Sequence, residues 1–378
     1  MSDYDKRNQR VHEISEIRQI NDCRTAGLQD LKTAKLVLLS SSGTELNILC
    51  QYLLIVVILR NQTIMKAYYS TAYGGPEVSQ YGDFPDPSAG KGQLLVEVKA
   101  VSLNPVDFKV KRGVARLMSG SKFPRIFGSD FAGVVKETGS GVTKFKSGDR
   151  VYGVTPVVWG KPGALAQLLA VDQKFVSAIP GQMSFEEAAS LPIAALTALN
   201  GLRRCRVSEG KEVLINGGTG GVGHFAIQIA KAKGAVVTAA CSQGNAELAR
   251  TLGADETMGY SREELAKSNK KFDAILDAYG KMDFKDVCRL LKRGGVYATT
   301  QIKPFLFFSS LLVQLVYGKK LTSSNMRSEP GDMEEMERLF LDKKLHPVIE
   351  NYFSLDHSAE AFELAEHGKL RGKIIIRI

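Results

Sequence analysis

Asn216–Gln228 reads NGGTGGVGHFAIQ and packs five glycines into the seven positions from Gly217 to Gly223. The stretch before it, KEVLING (Lys211 to Gly217), is a short β-prone run. After it, Val222, Ala226, Ile229 and Ala230 recur at helical spacing. Gly218, Gly220 and Gly223 spell GxGxxG between that strand and that helix. Such a loop suits a pyrophosphate: the first glycine allows the tight turn, the second lets backbone N–H groups approach the phosphates, and the third lets helix and strand pack closely. The pattern predicts a nucleotide cradle formed by Gly218, Gly220, Gly221, Val222 and Gly223, against the alternative of a turn that is merely glycine-rich.

Working outward, strand-like runs alternate with helix-length segments: AVVTAAC (Ala235 to Cys241), FDAILDAY (Phe272 to Tyr279) and GGVYATTQ (Gly294 to Gln301). That alternation argues for βαβ units and a parallel sheet. An NAD site usually places an acid about 20 residues past the glycines to hold the ribose 2′-hydroxyl. Here the second strand ends in CSQGN, Cys241 to Asn245, with no carboxylate to repel a 2′-phosphate. Ser242 and Asn245 can donate hydrogen bonds to it, with Tyr260 and Arg250 within reach, so NADPH is the expected cofactor. The bland alternative is ordinary turn chemistry.

The chain has 378 residues, of which 44% are hydrophobic, enough for two domains. Lys and Arg outnumber Asp and Glu by 50 to 40, which suits anionic ligands, but no dense basic run interleaved with aromatics points to nucleic acid. Five scattered cysteines without a CxxC suggest neither a disulfide framework nor a structural zinc lobe, and a reducing, cytoplasmic setting is the default expectation. The first 64 residues read differently. Leu46 to Leu59 is apolar but short of the roughly 20 residues a spanning helix needs. The expectation is an N-terminal extension outside the fold, with Met65 as a functional start; a membrane or partner anchor and an organelle-targeting segment are the alternatives.

From Met65 the segments KAYYS, QLLVEVKAVSL, FAGVVKET and SGDRVYGV read as a mainly β half. From Met65 to Ile378 the chain resembles the zinc-independent quinone oxidoreductase branch of the medium-chain dehydrogenase/reductases, especially plant-type quinone oxidoreductase homologues and alkenal/enone reductases. The resemblance is carried by SLNPVDFKVKRG, FPRIFGSDFAGVVKETGSGVTKFKSGDRVYG, AASLPIAALTALNGL, GGTGGVGHFAIQIAKAKGA and GKIIIRI. It implies an α/β protein: a GroES-like β-rich substrate domain over residues 65–188, a Rossmann doubly wound NADPH domain over 189–326, and a segment, 327–378, that returns to the first domain.

Between Met65 and Arg204 there is no Cys and no His, so a Cys/His zinc site cannot be assembled there. Where zinc relatives carry a Cys this sequence has Asn104, and where they carry GHE it has Gly128, Ser129 and Asp130. No metal is expected. Hydride addition to a quinone or to the β-carbon of an enone needs positioning and stabilisation of the charge that develops on oxygen. By resemblance, Asn104 and Lys109 lie near the carbonyl or the nicotinamide ribose, Lys109 being the sharper candidate, and Thr197 lies beside the nicotinamide amide. Their bland readings are an exposed lysine and a helix-core threonine. Asp107 orients the loop. Ala115 stands in the neighbourhood where enoyl-thioester reductases carry a tyrosine, which disfavours thioester substrates. The run Phe305–Lys320 suggests a hydrophobic substrate, a homodimer contact or a peripheral membrane contact, with core packing as the plain alternative. A non-catalytic NADPH-binding or interaction protein of the same fold is the rival to an enzyme.

Overall fold

The central strands of the first lobe are buried in runs, residues 94–96 and 130–133 among them. The computed structural model describes residues 63–301, 313–324, 329, 331–368 and 370–378. The extension expected over residues 1–64 lies outside these residues except at its last two positions, and so does the 305–312 part of the run Phe305–Lys320. Ile64–Ile378 forms a unit by itself. Its first lobe carries β1 (Ile64–Ser70), β2 (Ser79–Pro85), β3 (Gln93–Ser102), β4 (Arg125–Ile126), β5 (Asp130–Thr138), β6 (Arg150–Val154), β7 (Leu168–Asp172) and β8 (Val176–Ala178). Between β3 and β4 lies helix α1 (Pro105–Lys111), started by Pro105 at its first position and by Asp107, whose carboxylate accepts the Asn104 N–H at 2.8 Å.

The second lobe begins with helix α2 (Pro192–Arg204) and continues through β9 (Glu212–Asn216), helix α3 (Gly223–Ala232), β10 (Val236–Ala240), β11 (Glu256–Met258), β12 (Phe272–Asp277), β13 (Leu291–Thr299) and β14 (Lys320–Ser323). These six strands form one sheet in the order β11-β10-β9-β12-β13-β14, every pair parallel. Strands buried on both faces read as continuous apolar runs rather than alternating ones; Val213, Leu214 and Ile215 are fully buried in succession. The strand order reverses between β9 and β12, and ligands of such sheets bind outside the carboxyl ends at that crevice.

The tail supplies β15 (Ile349–Ser354) and β16 (Lys373–Arg377). They complete the sheet β15-β16-β3-β5-β6-β8 of the first lobe, with β16 antiparallel to β3 so that Ile375 faces Ser102. One apolar cluster runs across both lobes, joining Ala100, Ala132 and Tyr152 to Leu199, Phe225, Ile229 and Ile375. A second fills the first lobe around Phe127, Phe131 and Leu169. Among the described residues no helix is long and apolar enough to cross a membrane. Leu315, Val316 and Tyr317, from the described part of the run Phe305–Lys320, present exposed apolar side chains.

Candidate active site at the lobe junction

The glycine-rich loop leaves β9 and opens at the N-terminus of α3, where helix dipole and free N–H groups favour phosphate. A Cβ on Gly223 would lie 2.0 Å from the Gly217 carbonyl oxygen, so only glycine fits. At Gly218 a Cβ would come within 2.9 Å of Ala239 on β10, the close approach that helix-to-strand packing demands. Gly220 meets nothing nearer than 3.4 Å, which leaves its outer side open for a ligand. Val222 is the residue that precedes the helix.

Beside the loop, Asn216 ends β9 and Asp277 ends β12. Asp277 is fully buried and accepts hydrogen bonds from Asn216 Nδ2 at 2.7 Å, Gly280 N at 2.8 Å, Tyr297 Oη at 2.9 Å and Met282 N at 3.0 Å. These bonds fix the 278–282 turn. That turn walls a cavity of about 260 Å³ lined by Asn216, Tyr260, Arg262, Tyr279, Lys281 and Met282, among others. The Asn216 Oδ1 atom is buried and has no hydrogen-bond partner, so it is an acceptor left for a ligand. Tyr260 packs edge-on against Tyr279 at 5.8 Å, and the Lys281 ammonium lies over the Tyr279 ring at 4.8 Å. Arg262 pairs with Asp283 at 3.2 Å.

Of the residues expected to read the ribose, Tyr260 stands in that cavity wall, whereas Ser242 and Asn245 are not part of it. Ser242 is exposed after β10, and Asn245 donates instead to Thr219 Oγ1 of the glycine loop at 3.2 Å. Arg250 turns to Glu247 and to Thr257 on β11. Thr197 is 7% exposed on α2, and its carbonyl accepts a hydrogen bond from Ser324 at 2.7 Å.

On the substrate-lobe side, Asn104 and Lys109 part company. Lys109 is exposed on α1, and its ammonium makes no hydrogen bond or ion pair among the described residues. Asn104 is 3% exposed and turned inward: its Nδ2 donates to Asp130 Oδ2 at 2.8 Å and to the Ser102 carbonyl at 3.2 Å, and its Oδ1 accepts from Lys373 Nζ at 2.6 Å. Lys373 also donates to the Leu103 carbonyl at 3.2 Å. Ser129 donates to Asp107. Burial pushes the Asp107 carboxyl up to about 6 against the pull of Ser129, Asn104 and Lys373. Burial likewise pushes Asp130 up to about 7, opposed by Lys373 and Asn104. The Lys373 ammonium is lowered by burial and supported by Asp130 and Asp107. His224, at the start of α3, is depressed to about 3 by burial, and its Nε2 has no partner.

Lys373 is the residue that sequence reasoning left without a role, although it stands in the quoted run GKIIIRI. The signal was present: a lysine flanked by three isoleucines in a strand must either reach water or meet an opposite charge. Gly372 N donates to the Thr219 carbonyl at 2.8 Å, and a Cβ on Gly221 would lie 3.7 Å from Lys373 Cδ. The tail strand thus brings the glycine loop and Asn104 into one neighbourhood.

Residues 90–181 match the family described as the alcohol dehydrogenase GroES-like domain, and residues 252–376 match that described as zinc-binding dehydrogenase. The chain is 32% identical over 325 residues to a chloroplast envelope quinone oxidoreductase homolog of Arabidopsis thaliana, covering 83% of this chain and 98% of that protein. It is 36% identical over 323 residues to a 2-methylene-furan-3-one reductase of Solanum lycopersicum, covering 82% and 79%. The solved quinone oxidoreductase of Coxiella burnetii superposes with a TM-score of 0.75 at 31% identity, covering 84% of this chain and all of that one. A zinc ion does not fit the donor set here. Among the described residues no three His, Cys, Asp or Glu side chains gather to hold a metal, and the buried carboxylates at the lobe junction already face an ammonium. With its parallel-sheet nucleotide lobe, its GroES-like lobe and these relatives, the chain belongs to the quinone oxidoreductase branch of the medium-chain dehydrogenase/reductases, a family of NAD(P)H-binding oxidoreductases.

Proposed function

We propose that the chain reduces a hydrophobic quinone, or the conjugated C=C of an α,β-unsaturated carbonyl, at the expense of NADPH and without a catalytic metal. The observation that carries this reading is the pairing of a cradle that admits only glycine at position 223 with a polar floor spanned by a lysine instead of metal ligands. The names of the relatives, quinone oxidoreductase and enone reductase, support the acceptor class.

In this reading residues 65–188 receive the substrate and 189–326 the cofactor, with Gly218, Gly220, Gly221, Val222 and Gly223 around the pyrophosphate. Asn216 Oδ1 and Tyr260 face the adenosine end. Arg262 and Lys281 line the same cavity as Tyr260, Arg262 paired with Asp283, and are the cations assigned to a 2′-phosphate; Ser242 and Asn245, which stand outside that cavity, meet the ribose from the end of β10. Thr197 lies against the nicotinamide amide. When bound, the reduced nicotinamide supplies the hydride. Lys109, with its ammonium free, balances the charge gained by the acceptor oxygen, and water delivers the proton. Asn104 holds the start of α1 in place instead of touching substrate.

A screen of NADPH oxidation against quinones, 2-alkenals, long-chain enones and enoyl thioesters tests the proposal. Turnover with a quinone or an enone is expected. Tight NADPH binding without oxidation by any of the four classes would leave a binding protein in its place.

A further inference from the structure

Two buried carboxylates and one buried ammonium meet where the lobes join, and each belongs to a different element. Asp107 comes from α1, Asp130 from the first residue of β5 and Lys373 from the first residue of β16. Asp130 also accepts the Ile193 N–H, at the start of α2, with both oxygens at 3.2 Å. Gly372, just before Lys373, ties the same strand to the glycine loop through Thr219. Gly372 has a φ of +63°, and a Cβ there would lie 2.0 Å from the Val348 carbonyl oxygen, so the approach of Lys373 is fixed by backbone. His224 faces the cluster from α3 and is neutral at working pH.

A divalent metal needs free lone pairs, and this cluster offers none arranged for one. The Asn104 oxygen is taken by Lys373, both carboxylates face that same ammonium, His224 is turned through Nδ1 to the Gly220 carbonyl, and among the described residues no three His, Cys, Asp or Glu side chains gather to hold a metal. We infer that Lys373 is a positioning residue that stands in for a metal: its positive charge balances Asp130 and Asp107, and by holding Asn104 directly and Asp130 against the Ile193 N–H, next to the Gly372 bond to Thr219, it keeps the substrate lobe and the nucleotide cradle in register. Its charge is therefore used structurally, between the binding sites, rather than on the substrate. For its kinetic arm alone the inference rests on the proposed reductase activity.

The test compares the full chain with Lys373→Met, Asp130→Asn and the double variant, measuring NADPH affinity by fluorescence and single-turnover NADPH oxidation by 1,4-naphthoquinone. Removing the lysine strands a buried carboxylate when Asp130 is ionised and does not when it is protonated. At about pH 8.5, Lys373→Met is expected to weaken NADPH binding and to slow oxidation by at least about tenfold relative to wild type at the same pH. At about pH 5.5 both are expected to return to within about threefold; the double variant, in which Asp107 keeps only the Asn104 N–H and the Ser129 hydroxyl, is expected to recover fully at about pH 5.5 and most of the loss at about pH 8.5. Wild-type behaviour of Lys373→Met at the higher pH, or a loss that is equal at both and unrelieved in the double variant, overturns the inference. If the wild type binds NADPH yet naphthoquinone does not oxidise it, the proposed activity falls, while the affinity arm still decides the role of Lys373. Should Lys373→Met fold only together with Asp130→Asn, the stranded charge is demonstrated directly. Should neither fold, Lys373→Arg decides: retained affinity upholds the charge role and its loss removes it.

Discussion

Asn216 and Asp277, the last residues of neighbouring strands β9 and β12, are joined by a 2.7 Å hydrogen bond at the point where the strand order reverses. The bond spends the Asn216 amide N–H on the protein and leaves its oxygen to the cavity. Asp277→Ala would strand Asn216, Tyr297 and two backbone N–H groups at once, each orphan costing about 1–3 kcal/mol. The expected outcome is a loss of several degrees in Tm by calorimetry, together with weaker NADPH binding. An unchanged Tm would show that the 278–282 turn does not depend on this carboxylate.

Stability should fall as pH rises from about 4 to about 7. Asp107 and Asp130 hold protons in the folded state up to about 6 and about 7, above the ordinary 3.8, so the folded state binds more protons than the unfolded one across that window. His224 acts in the opposite sense, being neutral when folded down to about 3 but charged below about 6.5 when unfolded. Asp255, Asp273 and Glu350 are lowered from 3.8, 3.8 and 4.5, so their contributions are lost only as pH falls below about 4.5. One net proton is worth about 1.4 kcal/mol per pH unit. Urea midpoints between about pH 4.5 and 6 should therefore decline with rising pH in the wild type and stay nearly flat in Asp130→Asn, where Asp107 and His224 oppose each other. A wild-type midpoint that rises with pH would mean that the carboxyls ionise early.

Lys109→Met keeps the length of the side chain and removes its charge. Turnover with a quinone or enone should fall by about a hundredfold while NADPH affinity changes by less than about twofold, since removing a donor to a developing oxyanion costs about 3 kcal/mol. Stopped-flow rates and a binding titration separate the two. Full turnover would take Lys109 out of the mechanism. Prolonged dialysis against a chelator should leave activity intact, and loss restored by zinc would overturn the metal-free reading.

Discrimination between NADPH and NADH should rest on the cavity cations. Arg262→Ala and Lys281→Ala should each reduce the preference for NADPH by about tenfold and leave NADH affinity nearly unchanged, because a 2′-phosphate contact is a charge-assisted bond worth about 1.5–3 kcal/mol. Equal loss for both nucleotides would place these cations on a shared part of the cofactor.

The parallel sheet was legible because its strands are continuous apolar runs and its loop is written in glycine. The strand limits shifted where pairing decides them: β13 begins at Leu291, opposite Phe272, earlier than the run Gly294 to Gln301 suggested. Short strands such as β11 and β14 carry too few residues for a period to register. Side-chain partnerships were less legible. Asn104 and Lys109 are close in sequence, yet one faces the interior and the other solvent, a difference set by the turn into α1. Lys373 lies 269 residues from Asn104, and no local pattern announces a contact closed only by the return of the tail.

That return also sets an order of events during synthesis. Because β16 comes last in chain order yet lies between β3 and β15, the earlier lobe leaves the ribosome first but lacks an interior strand until residues 373–377 have emerged. A ribosome stalled before Lys373 would therefore carry a nascent chain whose parallel sheet has all six strands, while its older β lobe still leaves residues 100–102 of β3 without the partner strand on that side.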